Sequence, residues 1–147
     1  MRPPSRGFTM VELVVVMLVM AVLAALALPR LSDRRALQER GFLDQLRALL
    51  QYSRKVALTQ RREVCVLLAP TQAQVVYANG AACNLAAPVA TPGSSEAFVI
   101  PVPAGVVLGG VALVRFNVAG QPEPNADHLI SVGANSFTVS RETGIVF

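Results

Sequence analysis

The sequence is poor in the side chains that most enzymes use for catalysis. Its one histidine, His128, has neither a cysteine nor a nucleophile-elbow serine beside it, so a hydrolase's base–nucleophile pair is missing. The glycines Gly105, Gly109 and Gly110 are not followed by the Lys-Ser/Thr of a phosphate-binding loop. We therefore predict no enzyme activity and no cofactor, and we interpret His128 as an exposed loop residue beside Asp127.

Metal ligands are sparse as well. Glu123, Asn125 and Asp127 alternate oxygen donors along one stretch, and oxygen is the ligand type that calcium takes. Pro122 and Pro124 interrupt the same stretch, which suits a plain turn equally well. We predict no metal site.

Cysteine is scarce too, with Cys65 and Cys83 as the only two residues of this type. In a domain outside the cytoplasm a disulfide between them is the default. Closing a loop of this length would stabilise the fold by roughly 3 kcal/mol in the chain-entropy model. The alternative is a pair of buried, unbonded thiols.

Charge is unevenly distributed, although the net charge is only +4. Residues 30–62 hold nine cations against three acids, whereas residues 63–147 hold two cations against five acids. A basic segment therefore precedes an acidic one.

An apolar run near the N-terminus organises the rest of the chain. Arg2 and Arg6 precede it, one acid, Glu12, stands at its start, and residues 13–28 are all apolar. Residues 10–28, at roughly 1.5 Å each in a helix, nearly match the roughly 30 Å of a bilayer's hydrocarbon core. A helix is the only structure that a single span can adopt there.

Three interpretations of this run compete. A cleaved secretory signal would use Arg2 and Arg6 as its basic region and Ala25-Leu26-Ala27 as its cleavage site. A plain signal anchor would be oriented by the same two arginines. Neither explains Glu12, because an acid costs roughly 2.5–3.5 kcal/mol at the centre of a membrane segment and less near its end. We therefore treat Glu12 as a functional residue.

The third interpretation rests on Gly7-Phe8-Thr9-Met10-Val11-Glu12-Leu13, which resembles the leader junction of type IV pilins and type II secretion pseudopilins. The resemblance implies that prepilin peptidase cleaves between Gly7 and Phe8, that Phe8 is N-methylated, and that the apolar helix is kept. It also implies that Glu12 pairs with the Phe8 amine of a neighbouring subunit during assembly. Pro29 cannot donate a backbone hydrogen bond, so it should bend the helix where pilins extend on entering a filament.

Beyond Pro29 the hydrophobic period predicts a helix and then strands. An amphipathic helix is expected within residues 30–62, with a core-facing stripe of Phe42, Leu46, Leu49, Ser53 and Val56. Strands are predicted at residues 63–68, 74–77, 97–100, 111–118, 129–132, 136–140 and 144–147, the last three completing an antiparallel meander. A helix followed by strands in this way indicates the α+β class.

Two parts of this second half resemble a narrower group, the GspH/FimT family of minor pseudopilins. They are Tyr52-Ser53-Arg54-Lys55-Val56-Ala57 and the stretch at residues 115–122, followed by Thr143-Gly144-Ile145-Val146. The cysteine pair is also similar to that of MshC-type minor pilins. The resemblance implies a type IV pilin-like fold, with a long N-terminal helix packed on an antiparallel sheet. Its parts would be a leader (1–7), a transmembrane helix of the filament core (8–29), an amphipathic helix (30–62) and a periplasmic head (63–147).

From this resemblance we expect a minor pseudopilin or minor pilin that helps to initiate and assemble a filament. Its partners would be other minor and major pilins, prepilin peptidase, assembly-platform proteins and the bacterial inner membrane, crossed once with the head in the periplasm. The alternative is a FimT-like subunit that binds DNA for natural transformation through Arg115 and Arg141. It ranks second because phosphate binding needs several clustered cations. Type II secretion, a type IV pilus, an MSHA-type pilus and a competence system all stay open as the machine served.

Overall fold

The computed structural model describes residues 9–147, apart from the side chains of residues 25–34. One compact unit ends at Ala36, and the other, here called the head unit, comprises Leu37–Phe147. The leader, the cleavage site at Gly7 and Phe8, and the side chain of Pro29 lie outside the described residues. The leader cleavage, the N-methylation and the bend at Pro29 therefore stay predictions.

A single helix, α1, spans Met10–Gln60. Thr9 caps its start, because the Glu12 N–H donates to Thr9 Oγ1 at 3.3 Å and the Leu13 N–H donates to the Thr9 carbonyl at 3.2 Å. A threonine followed three residues later by a glutamate has the spacing of a capping box, and an acid in the first turn also suits the helix dipole.

In the first unit, the described side chains of residues 10–24 are all exposed. Within the described residues, no helical stretch combines the length and the apolar character needed to cross a bilayer. Part of the span predicted at residues 8–29 lies outside the described residues, and that span stays a prediction.

The predicted core stripe of α1 is confirmed in the head unit. All five of its members are buried, including the one polar side chain, Ser53. The Ser53 hydroxyl donates to the Leu49 carbonyl at 2.7 Å, which satisfies its hydrogen-bonding group inside the core. The helix ends at Gln60, and the next residue, Arg61, has a φ of 50°, which lies in the left-handed region.

Nine strands follow the helix and form two antiparallel sheets. The strands are β1 Val64–Leu68, β2 Gln72–Asn79, β3 Ala82–Pro88, β4 Val99–Pro101, β5 Leu108–Gly110, β6 Leu113–Phe116, β7 Pro122–Glu123, β8 His128–Val132 and β9 Asn135–Val139. The first sheet has the order β3-β2-β1-β6-β7, and β4 also pairs with β2. The second sheet has the order β5-β8-β9. The α+β class predicted from the sequence is confirmed.

The antiparallel order predicted for the last three segments is confirmed, because β8 pairs with β9 and β9 is bridged to Val146. Instead of continuing one sheet, β8 and β9 pair with β5 in a sheet of their own. The predicted strand at residues 144–147 is reduced to a bridge between Val139 and Val146 and a pair of backbone hydrogen bonds between Thr138 and Phe147. In the first sheet β1 lies between β2 and β6, so chain order and sheet order differ.

The core of the head unit is apolar on both of its sides. The α1 stripe meets inward-facing strand residues, of which the largest fully buried ones are Val64, Val66, Val75, Val114, Phe116, Ile130 and Val132. These alternate along their strands with side chains on the outer face, as the two-residue strand period requires. Cys65 on β1 belongs to that outer face and is nevertheless buried. Something must therefore cover the outer face of β1.

Candidate functional site

The outer face of β1 and β6 is covered by a charged cluster built around Arg115. This residue lies on β6, opposite Cys65 on β1 and Glu123 on β7, and its side chain is only 16% exposed. Its guanidinium donates to the Glu63 carboxylate and to the carbonyl oxygens of Gly80 and Ala81. Its Nε lies 3.4 Å from Glu123 Oε2. We call these groups the Arg115 cluster.

The cluster lies beside the disulfide predicted from the cysteine count, which is present between Cys65 and Cys83. The Cα atoms of the two cysteines are 5.9 Å apart, and the bond joins β1 to β3 across the intervening strand β2. Gly80, with φ of 60°, forms the turn between β2 and β3. The disulfide and the Arg115 cluster therefore hold this turn over the outer face of the sheet.

These contacts decide what Arg115 can do chemically. Its guanidinium already binds a carboxylate and two carbonyls in a mostly buried position, which leaves little of it for phosphate groups. Arg141, the second arginine of the DNA-binding alternative, is exposed in the turn after β9. Its backbone N–H donates to Asp127 Oδ1 at 2.8 Å. Arg115 therefore lies in the first sheet, whereas Arg141 lies in a turn that follows the second sheet.

His128 differs from its sequence-based interpretation as an exposed loop residue. It is the first residue of β8, lies opposite Val139 on β9, and is only 5% exposed. The strand alternation places its side chain on the buried face with Ile130 and Val132. Its Nε2 has no hydrogen-bond partner among the described residues. The sequence predicts that this strand begins at Leu129. Because His128 pairs with Val139 on β9, the strand begins one residue earlier, and this pairing explains why His128 is buried.

The acidic residues considered as calcium ligands make other contacts. Glu123 belongs to the Arg115 cluster and Asp127 accepts the Arg141 N–H. In the part of the chain that the structure describes, no three residues among His, Cys, Asp and Glu gather where they could hold a metal ion.

Glu12 lies in the first, exposed turn of α1. Its predicted partner, the amine of Phe8, lies outside the described residues, so the pairing itself stays a prediction. The capping contact with Thr9 uses the backbone N–H of Glu12 and leaves its carboxylate out.

Comparison with known proteins gives two results. Residues 2–28 match the prokaryotic N-terminal methylation motif. Two crystal structures of the type IV minor pilin FimU from Pseudomonas aeruginosa strain PAO1, in space groups P21 and P65, are similar to the chain with TM-scores of 0.56 and 0.55. Both are 18% identical to it, and the similarity covers 71% of this chain and 82% and 86% of the FimU chains. No curated protein matches the sequence.

The chain thus carries a methylation motif of prepilin-type proteins ahead of a type IV pilin-like α+β fold. The motif and the fold are thus both similar to those of type IV pilin-like proteins. The similarity to FimU confirms the type IV pilin-like fold expected from the sequence.

Proposed function

We propose that this chain is a minor pilin or minor pseudopilin that helps to initiate and assemble the filament of a type IV pilus or a type II secretion system. The observation that carries the proposal is the methylation motif at residues 2–28, which overlaps the start of a helix that continues into a pilin-like head. Prepilin peptidase then cleaves between Gly7 and Phe8, and Phe8 becomes N-methylated. The helix anchors the protein in the bacterial inner membrane, with the head in the periplasm.

Within this proposal Glu12 is the assembly residue. In a helix that stays in the membrane, its carboxylate lies near the lipid edge, where an unpaired charge is costly. The Phe8 amine of a neighbouring subunit supplies the opposite charge. Other pilins, together with the assembly platform, are therefore the partners of this part of the chain.

The spacing of Thr9 and Glu12 also fits a capping box, and this local role can be separated chemically from the assembly role of the carboxylate. A capping box accepts glutamine as well as glutamate, because both can reach back to the start of the helix. A charge pair with an amine requires the carboxylate. Glu12→Gln therefore removes the pairing while it keeps the cap.

The test compares Glu12→Gln with Thr9→Val, which removes the side-chain cap and keeps the charge. For Glu12→Gln we expect normal leader removal and membrane insertion, and recovery of partner pilins at least tenfold lower by co-purification from membranes. A tenfold loss corresponds to about 1.4 kcal/mol, less than breaking a buried ion pair costs. Thr9→Val should recover partners within about twofold of the wild-type protein. Unchanged partner recovery with Glu12→Gln would refute the assembly role.

The alternative function, DNA capture through Arg115 and Arg141, is weakened by the internal bonds of Arg115. Its test is the retardation of duplex DNA at low salt by the full-length protein in detergent micelles. Arg141→Ala is compared with Arg61→Ala, which removes an exposed arginine at the end of α1. Retardation that is lost in Arg141→Ala and kept in Arg61→Ala would favour DNA capture over the filament role.

A further inference from the structure

A polar cleft of about 290 Å³ lies in the head unit where α1 meets β9. It is set apart from the Arg115 cluster, which lies on the first sheet, because β9 belongs to the second sheet. The residues that line it are Arg40, Leu43, Asp44 and Arg47 of α1 and Asn135 and Ser136 of β9.

Arg47 is the central residue of this cleft. Its guanidinium carbon lies 5.4 Å from the centroid of the Phe137 ring, which is a cation–π distance. Its Nε is buried and has no hydrogen-bond partner among the described residues. An unpaired buried donor is unfavourable until an acceptor reaches it.

Asp44 does not supply that acceptor. Its Oδ1 lies 3.9 Å from Arg47 Nη1, which is longer than a hydrogen bond, and its own side chain is 76% exposed. The Arg47 side chain as a whole is 39% exposed, so a group that enters the cleft can reach the guanidinium. The structure therefore contains an arginine packed against an aromatic ring, with an Nε that has no acceptor among the described residues.

The other lining residues add donors and positive charge. Arg40 is exposed on the same side of α1, about two helical turns before Arg47. The Asn135 amide and the Ser136 hydroxyl can each donate a hydrogen bond. Two guanidinium groups outweigh the one carboxylate of Asp44, so the cleft attracts an anion.

We propose that this cleft binds a carboxylate and that an acidic side chain on the head of a neighbouring pilin subunit supplies it. A planar guanidinium pairs with a carboxylate through two parallel hydrogen bonds. The charge distribution favours a head as the source, because residues 63–147 of this chain hold five acids against two cations while residues 30–62 are basic. The second half of the proposal rests on the proposed filament function.

The first experiment tests the cleft itself, with glutarate as the probe and the full-length protein in detergent micelles. The double variant Arg40→Gln, Arg47→Gln is compared with the control Arg35→Gln, Arg61→Gln, which loses the same charge from exposed positions on or just after α1. Glutarate should shift the Asn135 side-chain amide resonances of the wild-type protein and the control. The cleft variant should bind at least tenfold more weakly. Equal affinity in the two double variants would overturn the proposal.

The second experiment tests the source of the carboxylate by co-purification with partner pilins at low salt. The cleft variant should recover at least tenfold less partner than the control. Arg40→Gln alone, at an exposed position, repeats the measurement with the Arg47–Phe137 contact intact.

Its outcomes separate the two proposals. Partner loss with Glu12→Gln and none with the cleft variant would refute the neighbouring subunit as the source while the filament function stands. No partner loss in either variant would refute the filament function itself.

Discussion

Replacing Arg115 with alanine should destabilise the head unit strongly, because this one side chain joins three parts of the chain. It binds Glu63 ahead of β1, Glu123 on β7, and the carbonyl oxygens of Gly80 and Ala81 in the turn between β2 and β3. Arg115→Ala leaves both carboxylates without their cation and both carbonyls without their donor.

The expected cost follows from these contacts. Hydrogen bonds to charged groups contribute about 1.5–3 kcal/mol each, and breaking a buried ion pair costs about 3–5 kcal/mol. The carboxylate side chains are 33% exposed for Glu63 and 45% for Glu123, so water replaces part of what is lost. We expect a net loss of about 3 kcal/mol in the free energy of unfolding. For a domain of this size that lowers Tm by roughly 10–15 °C.

The assay is thermal unfolding of the full-length protein in detergent micelles, followed by near-ultraviolet circular dichroism. Arg141→Ala serves as the matched control, because that side chain is exposed and should shift Tm by no more than about 2 °C. Arg115→Lys should fall between the two, since lysine keeps the charge and loses the planar fork. A Tm for Arg115→Ala within about 2 °C of the wild-type value would refute the idea that the cluster stabilises the turn.

Two further changes test other features of the head unit. Replacing Cys65 and Cys83 with alanine should cost roughly 3 kcal/mol in the same assay, and the non-reduced wild-type protein should weigh two hydrogens less than the reduced one; free thiols would contradict the bond. Gly144→Ala should cost about 1–3 kcal/mol, because its φ is 66° and an added Cβ would meet the Gly120 carbonyl oxygen. Its control, Gly41→Ala in α1, has open space and should gain up to about 1 kcal/mol; equal effects would contradict the argument.

The helix and several strands of the fold could be predicted because their signals are local. The stripe from Phe42 to Val56 repeats with the helical period, and β-branched residues mark β1 and β6. The strand β3, by contrast, is rich in alanine, and β5 contains two glycines among its three residues. Such segments have little strand propensity of their own, so their neighbours in the sheet decide their conformation.

In the candidate site, too, some features could be predicted from the sequence and others could not. The disulfide could be predicted because two cysteines allow only one pair. The role of Arg115 could not, because its partners Ala81 and Glu63 lie 34 and 52 residues away in the chain. His128 was misjudged for a related reason, since its burial depends on pairing with Val139. Contacts between residues so far apart in the chain depend on the sheet topology, and the local sequence around each residue does not predict them.

The position of β1 has a consequence for how the protein is made. Its partner on one side, β2, follows at once, whereas its partner on the other side, β6, begins only at Leu113. Until that later segment has been synthesised, β1 presents an unprotected row of backbone donors and acceptors. Such a row can recruit strands from other chains. Biogenesis therefore passes through an aggregation-prone stage that ends when β6 takes its place.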